Sequence, residues 1–405
     1  MTGLVQLGDV VTIQRGTTYK SALLGLEGPV LLGLGTIQRN GGFRGDSLRT
    51  YGGASPEQLL VKPGEIYASL KDVTQSADLL GAVARLPEDA PIGRLTQDTV
   101  RLDIIDKRVP STYLYWILRT PQYRDYCRAH LTGTTNLGLP RDDFLAFEFP
   151  SPTAELMALV ESIEALDAKI SSNQRVVALL DKRLMLEFRK TRRSAGTAKC
   201  ALSELAETTK GVSYRSVDLK PARTSLVTLK SFDRRGGYKR DGLKPYTGDY
   251  KPQQVIEPGE VVVAQTDLTR GAEVVGRAVR VPGDETADVL VASLDLVIAR
   301  PRKVSQEYLL GILTDEDFRE HCRSRTNGTT VLHLAADAIP NYEAPVASPE
   351  QQLEYTRFAS AILKLADSRN QESATLAALR DVLLPELMSG RGPVPGANQA
   401  LAVIT

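Results

Sequence analysis

The chain has 405 residues, 42% of them hydrophobic and 24% charged, with a formal net charge of +1. That length gives room for two or three domains, and the composition is that of an ordinary soluble globular protein rather than a disordered or fibrous one. There is no run of roughly 20 apolar residues to span a membrane and no signal segment, and three cysteines (Cys127, Cys200, Cys322) give no disulfide framework, so a cytoplasmic protein is expected.

Residues 1–150 read as a first domain of mixed α/β type. The apolar run at 29–34, bounded by glycine and proline, has strand character, and the spacing over 113–128 is helical. Ser151, Pro152 and Thr153 form a cap-plus-proline start for a long helix over 151–194. In it Leu156, Leu159, Ile163, Leu166, Ile170, Asn173, Val177, Leu180 and Leu184 step by three and four. A period of 3.5 demands a partner helix. A second domain follows over 195–346, with a strand at 255–264 and helical spacing at 308–323. Ser348, Pro349 and Glu350 open a second long helix over 347–390, whose seam is Tyr355, Phe358, Ile362, Leu365, Arg369, Glu372, Leu376, Leu379 and Leu383. Residues 391–405 read as a disordered tail.

The two halves are copies. At an offset of 195, Gly16 meets Gly211, Tyr19 meets Tyr214, Asp72 meets Asp267, Gly81 meets Gly276 and Cys127 meets Cys322. The strings at 63–65 and 258–260 (PGE) and at 133–135 and 328–330 (GTT) coincide at the same offset. Self-similarity of this length means tandem duplication.

Both helical seams turn polar at mid-length, at Asn173 in the first and at Arg369, Asn370 and Glu372 in the second. These residues meet only if the helices pack antiparallel and in register, the role a buried polar position plays in fixing register. The expected architecture is therefore tandem α/β (α+β) domains separated by an antiparallel coiled coil. A helix of roughly 33 residues is about 50 Å long, and two similar domains held that way suit two half-sites roughly 34–36 Å apart on DNA.

Local chemistry points the same way. Residues 207–251 hold eleven Lys/Arg against five Asp/Glu. Arg215, Arg234, Arg235, Tyr238, Lys239, Arg240, Lys244 and Tyr246 lie there, and Lys20, Arg39, Arg44, Arg49 and Tyr51 occupy the corresponding part of the first copy. Glycine-rich, basic, aromatic-bearing loops suit a phosphate backbone and base edges, although a solvated charged loop would have the same composition. The GTT turns add Thr134, Thr135 and Asn136, and Thr329 and Thr330; they serve equally well as structural turns. Lys71 and Thr74, Thr266 and Arg270 form a further pair of candidate loops. Positions that differ between matching loops, such as Lys71 against Thr266, Asn136 against Val331 and Gly138 against His333, are the better candidates for reading sequence.

No catalytic constellation emerges. The glycines at 33–35 lack dinucleotide-site spacing, there is no phosphate-binding GxxxxGK[ST], and His130, His321 and His333 show no metal-ligand spacing. Residues 40–43 (NGGF) lack both prolines of an adenine-methyltransferase tetrad, and Cys127 and Cys322 suit one core position used twice. No metal site and no catalytic residue are expected. Two other readings remain open, a duplicated protein–protein scaffold without DNA recognition and a stand-alone enzyme.

Several strings together resemble the specificity (S) subunit of type I restriction–modification systems. They are LGDVVTIQRG (7–16) and LSELAETTKG (202–211), LLVKPGEIYAS (59–69) and VIEPGEVVVAQ (255–265), the GTTNL and GTTVL turns, and the closing LLPELMSGR (383–391). The resemblance covers residues 4–391; Thr96, Gln97 and Asp98 depart from the Asn-Gln-Gly-like turn expected there. It implies two target-recognition domains, each reading one half of a split double-stranded DNA sequence, and a helix pair that sets the unread gap and docks two DNA adenine methyltransferase subunits. It also implies that S-adenosylmethionine, ATP and Mg²⁺ belong to the methyltransferase and motor-nuclease partners, not to this chain.

Overall fold

The repeat is visible as one path of strands traced twice. The computed structural model describes residues 3–390 other than 47, 75, 195–197, 234, 235, 268–270, 285, 286, 329 and 330, and for Ser194 only the backbone; the tail at 391–405 lies outside the described residues. Two compact units result: the residues up to Ser171 with those from Ser373 onward, and Ser172–Glu372. Each holds one mixed α/β domain and half of each long helix.

In the first unit an antiparallel sheet runs in the order Val11–Arg15, Thr99–Ile104, Ile66–Ser69, Val83–Arg85. In the second the order is Ala206–Lys210, Leu296–Pro301, Val261–Ala264, Ala278–Arg280. The third strand, IYAS in one copy and VVVA in the other, is buried at every position. Its period of two sends Ile66 and Ala68 into a core built with helices, and Tyr67 into a second core. Val261 and Val263 divide from Val262 and Ala264 in the same way. The second core lies against a smaller sheet, with Val30–Leu32 parallel to Gly93–Leu95 in one unit and Thr224–Val227 parallel to Val289–Ala292 in the other. Each domain closes by pairing its first strand with its last, Leu4–Gln6 with Glu148–Pro150 and Ala198–Ala201 with Glu343–Val346.

The long helices, Ala154–Ser194 and Pro349–Leu383, pack antiparallel within each unit. In the first, Leu156, Leu159, Ile163, Leu166 and Ile170 share a core with Leu376, Leu383, Leu384 and Leu387, and Arg380 pairs with Asp167 at 2.8 Å. In the second, Phe188 stacks edge-on with Tyr308 and Tyr355, both at 5.4 Å between ring centroids. The polar rung forms there as the seam pattern anticipates: buried Asn173 donates through Nδ2 to Glu372 Oε2 at 3.0 Å, and Arg369 reaches the same carboxylate at 2.8 Å.

The second seam departs from its expected course in two places. Leu365 is exposed, and Ala359 and Ala366 are buried on the contact face instead. Asn370 is exposed and takes no part in the rung. Reading only large apolar residues favoured Leu365, but alanine lets helix axes approach closely and is buried for that reason. Phe358 does pack against the core, half-buried.

An arginine of each main sheet also grips a helix. Arg85 pairs with Glu164 at 2.9 Å and Arg280 with Asp367 at 2.7 Å; the arginines coincide at the repeat offset, and their acidic partners do not. Cys127 and Cys322 fill one core position twice, where burial pushes their thiols up to about 11 and about 12. Each packs on a glycine with positive φ, Gly81 (68°) and Gly276 (73°). A Cβ at Gly81 would run into the Cys127 Sγ, and one at Gly276 into the Cys322 Cβ. Gly81→Ala and Gly276→Ala are each expected to cost about 2–4 kcal/mol, from left-handed backbone strain and overpacking together. In urea unfolding of the full chain, Cys127→Ala should recover part of the Gly81→Ala loss. Cys322→Ala should not rescue Gly276→Ala, because alanine keeps the offending carbon.

Candidate nucleic-acid interface

Loop shape in each domain depends on a buried aspartate. Asp72 accepts the Thr74 N–H through Oδ1 at 2.6 Å, and through Oδ2 the N–H groups of Leu79 (2.6 Å) and Leu80 (3.2 Å). Asp267 accepts those of Val274 (2.5 Å) and Val275 (3.0 Å), at the same offset. The carboxylate folds the following loop back on itself, a charge-assisted arrangement that a neutral acceptor matches poorly. Arginines clamp the loop from the other side. Arg124 donates to the carbonyls of Ala77, Asp78 and Leu80 at 3.2, 2.9 and 2.5 Å. In the second copy Arg319 reaches Glu273 O at 3.2 Å and Arg323 reaches Ala272 O at 3.1 Å.

Short strands bring separate candidates together. Lys71–Asp72 pairs with Leu137–Gly138, placing Lys71 opposite Gly138; Thr266–Asp267 pairs with Leu332–Leu334, placing Thr266 opposite His333. Two positions that differ between the copies are thus partners on a single rung. A long polar side chain stands over a small partner in both, but on opposite strands: Lys71 over Gly138 in one copy, His333 over Thr266 in the other. Lys71 and His333 are exposed and Thr266 is buried. The GTT turn rises beside the rung with Thr134, Thr135 and Asn136 all exposed. A cleft of about 240 Å³ lies against the first rung, lined by Arg15, Lys71, Asp98 and Arg141, and Lys71 pairs with Asp98 at 3.4 Å.

The basic hairpin joins the same group. The Asn40 N–H donates to Asp78 O at 2.9 Å, Arg39 approaches the Asp78 carboxylate at 3.7 Å, and Arg128 donates to Asn40 Oδ1 at 3.2 Å. Arg39 and Arg44 are exposed, the latter engaged by Asp46 at 2.7 Å. In the second domain Lys239 pairs with Asp233 at 3.3 Å, while Arg240 donates to Gly283 O at 2.9 Å. Tyr238 is half-buried, and burial raises its hydroxyl well above the usual phenol range.

A second group forms elsewhere in each domain. Lys20, Arg49 and Arg215 are exposed, but Tyr51 and Tyr246 are buried. Tyr51 accepts the Lys20 N–H at 3.3 Å and lies 4.9 Å from the Arg94 guanidinium; Tyr246 donates to Asp249 O at 2.9 Å. Both rings brace loops from beneath and present no face to a partner. Lys244 donates to Tyr214 Oη at 3.2 Å. Thr74 is half-buried, its backbone held by Asp72. Arg234, Arg235, Arg270, Thr329 and Thr330 lie outside the described residues.

Among the described residues no group of three His, Cys, Asp or Glu is placed to hold a metal ion, and no helix is long and apolar enough to cross a membrane. No family model and no curated protein sequence matches the chain. Solved structures do. The crystal structure of a type I restriction–modification S subunit from M. genitalium aligns over 96% of this chain and 96% of that one, with a TM-score of 0.54 at 13% identity. The chain has the fold of a type I specificity subunit. The HsdS subunit from Thermoanaerobacter tengcongensis covers the same shares at 16% identity and a TM-score of 0.33. A chain from a structure of type I system assembly and conformational transition covers 95% of this chain and 97% of its own at 16% and 0.39.

In this specificity-subunit fold the anchoring carboxylates were the residues that pattern reading undervalued. Asp72 and Asp267 coincide at the repeat offset, and an aspartate two residues before a threonine is the sequence mark of a side chain capping its own loop. Asp72→Ala would leave three backbone N–H groups without their acceptor, and a loss of about 3 kcal/mol or more is expected in chemical denaturation of the full chain. Asp72→Asn keeps the shape but not the charge and should fall between the two.

Proposed function

We propose that this chain is the non-catalytic DNA-specificity subunit of a type I modification complex. Each recognition domain reads one half of a bipartite duplex target, through the rung that follows the main sheet and the hairpin and turn beside it. The helix pair docks two DNA adenine methyltransferase subunits. S-adenosylmethionine is carried by those partners, and ATP and Mg²⁺ by motor-nuclease subunits where the system has them. The observation that supports this reading is the duplicated S-subunit fold, matched from end to end, with divergence between copies at one surface rung. Exposed lysine, arginine and histidine, with the hydroxyl-bearing turn of the first domain beside Lys71, supply both phosphate contacts and base-edge donors.

Methylome sequencing of cells expressing the chain with a cognate methyltransferase is expected to show a split motif with adenine methylated in both halves. Exchanging residues 1–150 for another recognition domain should change one half only. Within that domain, Lys71→Thr with Gly138→His transplants the second copy's rung and should alter base preference in the same half. An unsplit motif, or a motif indifferent to the domain exchange, would sink the proposal.

A further inference from the structure

The second unit carries a basic cleft outside both groups of recognition loops. It has a volume of about 700 Å³ and is lined by Arg192, Arg193, Lys199, Arg325, His321, Asp317 and Glu343, with Asn341, Tyr342 and Pro345 completing the wall. Its cations come from three elements: the last turn of the first long helix, the first strand of the domain, and the turn after Glu316–Arg323. Arg192 is already spent on the protein, pairing with Asp317 at 2.6 Å and Asp315 at 3.3 Å. The Arg325 guanidinium lies 3.2 Å from His321 Nδ1, and His321 Nε2 lies 2.8 Å from Ala338 O. Arg193, Lys199 and Arg325 are exposed, and none of the three has an ion-pair partner among the described residues.

The first copy does not build this cleft. At the repeat offset Lys199 corresponds to Leu4, Asp317 to Gln122, His321 to Tyr126 and Arg325 to His130. Leu4 is exposed, and Gln122 donates to Pro385 O instead of receiving an arginine. Basic residues in the last turn of a helix answer its dipole, which accounts for Arg192 and Arg193. It does not account for Lys199 and Arg325, which come from other elements and converge on the same space. The lining carries four cations against the two carboxylates of Asp317 and Glu343, and the three exposed cations on its rim suit a polyanion that passes over them better than a small anion enclosed within.

We infer that this cleft is a second-copy-specific seat for the phosphate backbone of duplex DNA, contacted without regard to base sequence. The inference rests on the DNA-binding reading above. It makes binding asymmetric, with the half-site of the second domain gaining backbone contacts that the first lacks.

The test is salt-dependent binding of the full chain to a duplex lacking the target. Each neutralised phosphate adds about 0.9 to the slope of log K against log salt. Arg193→Gln, Lys199→Gln and Arg325→Gln together should therefore flatten the slope by about 2.7, and Lys199→Gln alone by about 0.9, with the methylated motif unchanged. A slope equal to that of the wild type overturns the inference. So does a triple variant that binds DNA normally but loses its methyltransferase subunits in native mass spectrometry, which would make the cleft a seat for an acidic protein surface. Wild-type chain showing no salt-dependent binding at all would instead sink the DNA-binding reading itself.

Discussion

Everything else in each unit depends on a strand buried on both faces. Ile66–Ser69 and Val261–Ala264 have no side exposed to water, so each domain must supply a cover for two faces of one sheet. One cover is local, the smaller sheet. The other is not: the core on Ile66 and Ala68 is completed by leucines of both long helices, including Leu376, and by Leu387 of the short helix Glu386–Ser389, some 300 residues further along the chain. On Val261 and Val263 the same part is played by Phe188 from before the domain and Tyr355 from after it. Each α/β domain in this chain is thus unfinished until both helices are present. The ion pairs Arg85–Glu164 and Arg280–Asp367 stand at the edge of that closure and orient the helix on the sheet.

This division of labour explains how the outer loops can vary. The residues that complete the helical core lie on one face of the sheet, and the loops after Ser69 and Ala264 leave from strand ends. Their shape is set by a carboxylate and by arginines that bind backbone atoms, not side chains. Backbone anchors are blind to the identity of the residues they hold. The rung next to Asp72 and Asp267 can therefore exchange Lys71 and Gly138 for Thr266 and His333 with the ladder intact. A scaffold of this kind separates what must be kept from what must differ, which is the requirement on any protein that reads different sequences with one fold.

The sequence made the duplication, the long helices and their antiparallel sense legible, because each is a matter of period: 195 residues for the copies and 3.5 for the seams. The polar rung of Asn173, Arg369 and Glu372 was legible for the same reason. What pattern reading missed has a common cause as well. Leu365 was taken for a seam residue and Ala366 passed over because side-chain size, not face, was counted. Tyr51 and Tyr246 looked like recognition aromatics, yet composition cannot say whether a ring lies above a loop or beneath it. Asp72 and Asp267 were visible as coincidences, but their role lies in which backbone groups they accept from, and those groups carry no sequence signal.

The asymmetry between the copies follows from duplication under unequal constraint. The helix that leaves the first domain must run on into the second, so its C-terminal turn is packed against that domain, where Arg192 finds Asp315 and Asp317. At the equivalent place in the first unit Gln122 meets Pro385, near the end of the second helix, through a single hydrogen bond. A helix-end arginine held by buried Asp315, with exposed Asp317 beside it, costs desolvation that a glutamine does not. Arg193, Lys199 and Arg325 stand exposed beyond that pair and form no ion pair among the described residues, so they contribute little to stability and are open to a partner.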